Sequence, residues 1–302
     1  MSNKDLGGAN TYTNNAPKQL LDAVLMWHFA PNWELWAGQT KLPGNVERVI
    51  SSSNLQFIDR SILNSKFNLD RDTGLQLRHQ SLWGSNFFSR EKLAISQGEG
   101  RNITTGNLGG LQYTARIELL PFGEFTKKGD YFESDLKREQ TPKLMLGYTY
   151  NFNDDAVKTR SGLGSYMDTT NGFFQTDITT TFTDLVFKYN GWSVLAEIAE
   201  RNAENAIAKS EDGTATGDIV HTGLAINSQI GYLFENNFEI ASRFSSIKYD
   251  DVVGIVNPEQ YTLGVSKYLS GHKLKVQADI TKSLLNGQDN EVIFRSGFEL
   301  HF

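Results

Sequence analysis

Apolar and polar residues alternate along most of this chain, and the repeat is two, the period of a strand with one face against an apolar medium. From 142 to 152, Leu144, Leu146, Tyr148, Tyr150 and Phe152 share one side, while Lys143, Gly147, Thr149 and Asn151 share the other with Met145 as the apolar exception. Leu111, Tyr113, Ala115, Ile117 and Leu119 alternate with Gln112, Thr114, Arg116 and Glu118. Val292, Phe294, Phe298, Leu300 and Phe302 alternate with Arg295, Gly297, Glu299 and His301. Extended over the chain, the pattern predicts thirteen strands at 20–29, 33–40, 72–81, 86–97, 110–120, 142–152, 179–189, 192–203, 221–233, 237–247, 259–268, 271–283 and 290–302. Most run 10 to 13 residues, close to the ~9–11 that cross a bilayer when tilted and about twice the ~5–6 usual in soluble sheets.

The connections alternate in size. Pro31-Asn32, Leu82 to Ser85, Asn190-Gly191, Glu235-Asn236 and Ser270-Gly271 read as tight turns, whereas 41–71, 98–109, 153–178, 204–220, 248–258 and 284–289 read as longer links. Short turns at one end and long loops at the other is the pattern of an outer-membrane barrel. The link 121–141 departs from it, being long on the short-turn side. Phe29, Trp33, Tyr189, Trp192, Phe234, Phe238, Tyr268 and Phe302 gather near the turns as an expected aromatic girdle at headgroup level. Two exceptions stand out: Lys267 falls on the lipid parity of its strand, where it is expected to snorkel, and 192–203 is apolar on both faces in its middle.

Composition agrees with this architecture. The 302 residues carry 35 acids and 29 bases, a net charge of -6 that does not favour nucleic acid as a partner. No cysteine is present, which excludes disulfides, thiolate metal sites and cysteine catalysis. No apolar run approaches the ~18 residues of a membrane-spanning helix. The fold class expected is therefore all-β, a transmembrane antiparallel barrel. Thirteen is odd, while closed single-chain bacterial barrels use an even number of strands. Met1 to Gly8 lack the blocks of a secretory signal. The expectation is a single barrel domain over 1–302 with three strands and a signal segment preceding it, making a 16-stranded parent; a miscounted or split strand is the alternative.

In that count 41–71 is the third external loop. It interleaves Val49, Ile50, Phe57 and Ile58 with charged residues, and folding into the barrel would bury those four against the wall.

The run from Phe29 to Asn102 carries Asn32-Trp33-Glu34-Leu35-Trp36-Ala37-Gly38-Gln39-Thr40-Lys41-Leu42-Pro43-Gly44-Asn45, Asp59-Arg60-Ser61, Phe67-Asn68-Leu69-Asp70-Arg71-Asp72 and Gln97-Gly98-Glu99-Gly100-Arg101-Asn102. With Leu119-Leu120-Pro121-Phe122-Gly123, Gly264-Val265-Ser266-Lys267-Tyr268 and the terminal Phe302, it resembles the phosphate-selective porin O and P family in its Bacteroidota branch. The resemblance implies a homotrimeric, 16-stranded channel of the outer membrane whose third loop, here 41–71, narrows the pore. It also implies inorganic phosphate or polyphosphate as permeant, contact with outer-membrane lipid, and insertion by barrel assembly machinery that reads a terminal aromatic.

An anion pore needs fixed cations where the water column is narrow, because low-dielectric walls strengthen their field. The residues expected to serve are Arg48, Arg60, Lys66 and Arg71 on the inward loop and Arg78 and Arg116 on lumen-facing strand positions, with Arg90, Lys92, Lys143, Arg243, Lys273, Lys275 and Arg295 as further wall cations. Glu47, Asp59, Asp70, Asp72, Glu118, Glu239, Asp279 and Glu299 share the loop or the parity and neutralise part of that field. A general non-selective porin or an oligosaccharide channel of the same architecture is the alternative.

No catalytic site, metal site or cofactor is expected. His28, His79, His221, His272 and His301 lack paired metal spacing. Gly98-Glu99-Gly100-Arg101-Asn102 is read as a turn because no helix follows it. Asp154-Asp155 and Glu211-Asp212 with Asp218 are read as solvated loop charge, with calcium binding as the alternative, and Asn102-Ile103-Thr104 as an accidental acceptor triplet.

Overall fold

The computed structural model describes residues 20–103 and 108–300. Thirteen strands form one antiparallel sheet: β1 (Ala23–Ala30), β2 (Trp33–Lys41), β3 (Arg71–Trp83), β4 (Phe87–Ser96), β5 (Gln112–Leu120), β6 (Lys143–Ala156), β9 (Thr176–Tyr189), β10 (Trp192–Ala203), β13 (Gly223–Leu233), β14 (Phe238–Tyr249), β15 (Pro258–Tyr268), β16 (Leu274–Leu285) and β17 (Gln288–Leu300). Each pairs with the next in this order, and β1 and β17 are the edges of an open sheet. Two small hairpins, β7 (Lys158–Arg160) with β8 (Leu163–Tyr166) and β11 (Ile207–Lys209) with β12 (Ala215–Ile219), decorate the long loops. Phe302, His301 and Thr104 lie outside the described residues.

The period-two pattern becomes a two-faced wall. Along β5, Tyr113 and Ile117 are exposed while Gln112, Thr114, Arg116 and Glu118 are buried, and β6 repeats this with Tyr148 and Tyr150 outward and Thr149 and Asn151 inward. Leu25, Trp27, Leu75, Leu93, Leu263 and Phe294 continue an apolar outer belt, a surface that hydrocarbon covers. Tight turns close one end. Asn190 and Gly191 both take positive φ, 46° and 87°, the two-residue turn that matches strand twist. Gly191 also packs so closely that a Cβ would stand 2.6 Å from the Leu233 carbonyl oxygen. At the long-loop end, the link between β16 and β17 is shorter than its sequence suggests, a tight turn at Asn286-Gly287.

Most expected girdle aromatics sit on the outer surface, but Tyr268 does not. It points inward, 1% exposed, and its hydroxyl donates to Glu239 at 2.6 Å. A tyrosine at a strand end serves either face, and here an inward acceptor decides. Lys267 behaves as a snorkelling residue: its ammonium reaches back to the turn and donates to the Asn236 carbonyl at 2.5 Å.

The apolar exceptions on the inward face have one cause. Leu120, Met145, Val186 and Leu195 form a buried cluster with Val46, Ile50, Leu55 and Phe125. Phe182, Ala199, Ala225 and Ile247 form another with Leu42, Leu63, Phe67 and Leu69. Each wall residue touches a segment that has entered the lumen, so β10 is apolar on both faces because Leu195 and Ala199 meet protein where Ala196 and Ile198 meet the exterior.

Candidate functional site: the lumen and its lining cations

Residues 42–70 lie across the inward face of the sheet. They hold two short helices, α1 (Val46–Val49) and α2 (Ile62–Phe67), the second capped by Ser61, whose hydroxyl accepts from the Asn64 N–H at 3.1 Å. Ile50 and Phe57 are fully buried, and Val49 and Ile58 half-buried. At the tip, Gln56, Phe57 and Ile58 rest on a track of inward glycines. A Cβ on Gly231 would stand 2.0 Å from the Gln56 amide nitrogen, and one on Gly264 would stand 2.9 Å from the Phe57 ring.

Most of this segment is irregular, so its carbonyls need donors that no sheet supplies. Wall cations supply them. Arg116 donates to the Gly44 carbonyl at 3.0 Å, Arg201 to Phe67 at 2.8 Å, Arg243 to Asp59 at 2.8 Å and Lys275 to Leu55 at 2.9 Å, and Arg160 of the β7–β8 hairpin adds a bond to Ser65 at 3.0 Å. Glu47 completes the fixation: its N–H donates to Glu197 at 2.8 Å, and its carboxylate accepts from the Ser61 N–H at 2.7 Å and from the Ser61 hydroxyl.

Beside this packed region a groove of about 850 Å³ runs along the inner faces of β1 to β4. Its lining carries six cations, Lys41, Arg71, Arg78, Arg90, Lys92 and Lys128, against three carboxylates, Asp22, Glu34 and Glu124. Several cations are neutralised in place: Arg71 by Asp22 at 2.9 Å, Arg90 by Asp130 at 2.5 Å, and Lys92 by Glu118 at 2.5 Å. Lys41, Arg78 and Lys128 are not. Lys41 donates to the Val49 and Ile50 carbonyls at 3.1 and 3.2 Å, and Arg78 donates through Nε and one amino group to the Gln76 side-chain oxygen at 3.2 and 2.7 Å. The Arg78 guanidinium lies on the Trp36 ring, 3.6 Å from its centroid, so its plane is fixed while one amino group remains free to donate.

The residues singled out in the sequence divide into groups. Arg71 and Arg78 line the groove together. Arg48 is bound to Asp70 through Nε at 2.9 Å. Burial works to raise the Asp70 carboxyl, and Arg48 and Arg71 overcome it, holding it below its ordinary value. Arg60 donates to the Glu47 and Ile50 carbonyls at 3.1 and 2.7 Å, so the Ile50 oxygen is shared with Lys41. Burial, with Arg48 adding repulsion, lowers the Arg60 pKa. Lys66 closes α2 at its last turn, where its carbonyl accepts from Arg201 at 3.2 Å. Arg116 is packed behind the inward segment, its side chain 1% exposed and held by Asp184 at 2.6 and 2.8 Å and by Glu118 at 2.8 Å. Lys273 lies in the turn after β15 rather than on a strand.

Lys41, Lys188 and Arg201 were not singled out by sequence reasoning. Inward parity was the available signal for Lys188 and Arg201, and position at the last residue of β2 for Lys41. Among the described residues, no group of three or more histidines, aspartates or glutamates stands in a metal-holding arrangement.

The chain matches a family model described as phosphate-selective porin O and P over residues 1–292. No curated protein matches it. Among solved structures it is similar to in-vitro folded OmpT, an outer membrane protein of Vibrio cholerae in trimer form, at 14% identity over 91% of this chain and 75% of that one. The TM-score is 0.47, a likeness too distant to carry a conclusion. The family match, spanning nearly the whole chain, is decisive: the protein belongs to the phosphate-selective porin O and P family, β-barrel channels of the outer membrane.

Proposed function

We propose that this porin passes small anions, inorganic phosphate or polyphosphate among them, down their gradients along the groove beside β1 to β4. The observation that carries this reading is that, with Arg71, Arg90 and Lys92 paired, Lys41, Arg78 and Lys128 line the groove without carboxylate partners. An anion entering such a groove exchanges water for N–H donors already oriented by Trp36, Gln76 and the α1 carbonyls, so little ordering accompanies binding. Trp36 lies beneath a guanidinium, which covers the face a sugar ring would stack on. The segment 42–70 is the constriction in this reading.

Closure of the gap between β17 and β1 is part of the proposal, because an open sheet edge has no stable place in hydrocarbon. So are a homotrimeric state, lipid against the outer belt, and insertion by barrel assembly machinery.

The test is titration of phosphate into a chloride-conducting planar bilayer containing the porin. Phosphate is expected to block chloride current, with weaker block in Arg78→Ala and in Lys41→Ala. Equal block in wild type and both variants would remove the groove from the reading.

A further inference from the structure

The link from β5 to β6, residues 121–142, is not needed to join those strands. Leu119 already faces Leu146 across the pair, and β9 and β10 are joined at the same end by two residues. Instead of hanging in solution the link turns inward and buries Asp130, Glu133, Ser134, Asp135 and Glu139. Lys188, a fully buried wall cation, donates to three of its carbonyls, Gly129 and Phe132 at 2.7 Å and Ser134 at 2.8 Å. The Asp135 carboxylate accepts the Gly191 N–H at 2.9 Å, which ties the segment to the turn between β9 and β10.

Having entered from the short-turn end, the segment meets the tip of 42–70, which enters from the other. The Glu133 N–H donates to the Asn54 carbonyl at 3.1 Å, and the Gln56 N–H to the Glu133 carboxylate at 2.7 Å. The Asn54 amide donates to the Tyr131 carbonyl at 3.2 Å. Glu124, Lys128 and Tyr131 of the same segment form part of the groove lining, and the Tyr131 hydroxyl lies 3.2 Å from the Lys92 ammonium.

We propose that residues 121–142 are a second constriction element, entering from the periplasmic side, which joins 42–70 to partition the lumen and sets the upper size of solute that passes the groove. The inference rests on the channel reading above. Its physical basis is the junction, where segments entering from opposite ends bond to each other against the inner face of the sheet. Lys188 is the positioning residue, a charge spent on backbone carbonyls rather than on a permeant.

The test is swelling of liposomes containing the porin, driven by a pentose and by a trisaccharide, beside chloride conductance. In one variant, residues 121–144 are replaced by Asn-Gly, the turn that joins β9 to β10. In the other, Lys188→Met keeps chain length and removes three hydrogen bonds. Wild type is expected to pass the pentose and exclude the trisaccharide. The turn variant is expected to lose that exclusion and gain conductance, and Lys188→Met to move the same way, with Lys188→Arg closer to wild type.

If the turn variant fails to assemble, Lys188→Met decides. A conducting variant with the wild-type size limit overturns the proposal, as does trisaccharide passage through wild type at the rate of the variants. Absence of any conductance in wild type would instead defeat the channel reading, so the two failures are distinguishable.

Discussion

Glu133→Gln separates the charge of one carboxyl from its shape at the point where the two inward segments meet. Burial, reinforced by the Glu47 carboxylate, pushes the Glu133 carboxyl up from an ordinary 4.5 to about 7, although the Gln56 N–H, Gln229 and Arg243 pull the other way. A pKa raised in the docked state means that docking takes up a proton. Its stabilisation is fully present below about 4.5, falls by about 1.4 kcal/mol per pH unit above that, and is lost by the time the pH passes 7, a total of about 3 kcal/mol. His272 does not share this window, because burial and then Lys275 push it down to about 2. Glutamine keeps an oxygen for the Gln56 N–H and cannot titrate. The assay is amide exchange at Gln56, corrected for the intrinsic pH dependence of exchange. In wild type, protection is expected to fall by up to roughly tenfold per pH unit between 5 and 7, and in Glu133→Gln that slope is expected to collapse. An equal slope in the variant, or protection that rises with pH in wild type, would mean that Glu133 does not control docking.

Other predictions address the wall and the loop. Arg116→Met leaves Asp184 buried without its guanidinium, a loss of about 3–5 kcal/mol in urea unfolding from lipid vesicles, and adding Asp184→Asn is expected to recover most of it. Gly264→Leu puts a side chain where Phe57 lies, so protease cleavage within 42–70 is expected to rise while heat-modifiable mobility shows an assembled barrel. Leu263→Lys, mid-strand on the outer face, is expected to cost about 2–4 kcal/mol in a folding titration, whereas Lys267→Met, whose ammonium already reaches the turn, is expected to be close to neutral.

The strands were legible because the constraint that makes them is local and repeats at every second residue. Thirteen ranges read from alternation correspond to the thirteen strands of the sheet, with ends that differ by a few residues. The docking surface for 42–70 was written in the sequence as exceptions: Met145 on a polar face and Leu195 with Ala199 in β10 are apolar because they meet protein.

The tasks of the cations were harder to read, since parity places a basic residue in the lumen without naming its acceptor. Arg243, Lys275 and Arg116 all reach backbone carbonyls of 42–70, and those partners lie at sequence separations that no local pattern encodes. The inward course of 121–142 was visible only as a link too long for its end of the barrel. Its burial depends on Lys188 and on the tip of 42–70, both remote in sequence.

Fixed positive charge in the groove beside β1 to β4, which we propose governs what passes, is read by the zero-current potential across a planar bilayer separating unequal potassium chloride solutions. The predicted sign is that of chloride carrying the current, with a smaller magnitude in Arg78→Ala. A potential of the potassium sign, or one unchanged by that substitution, would contradict it.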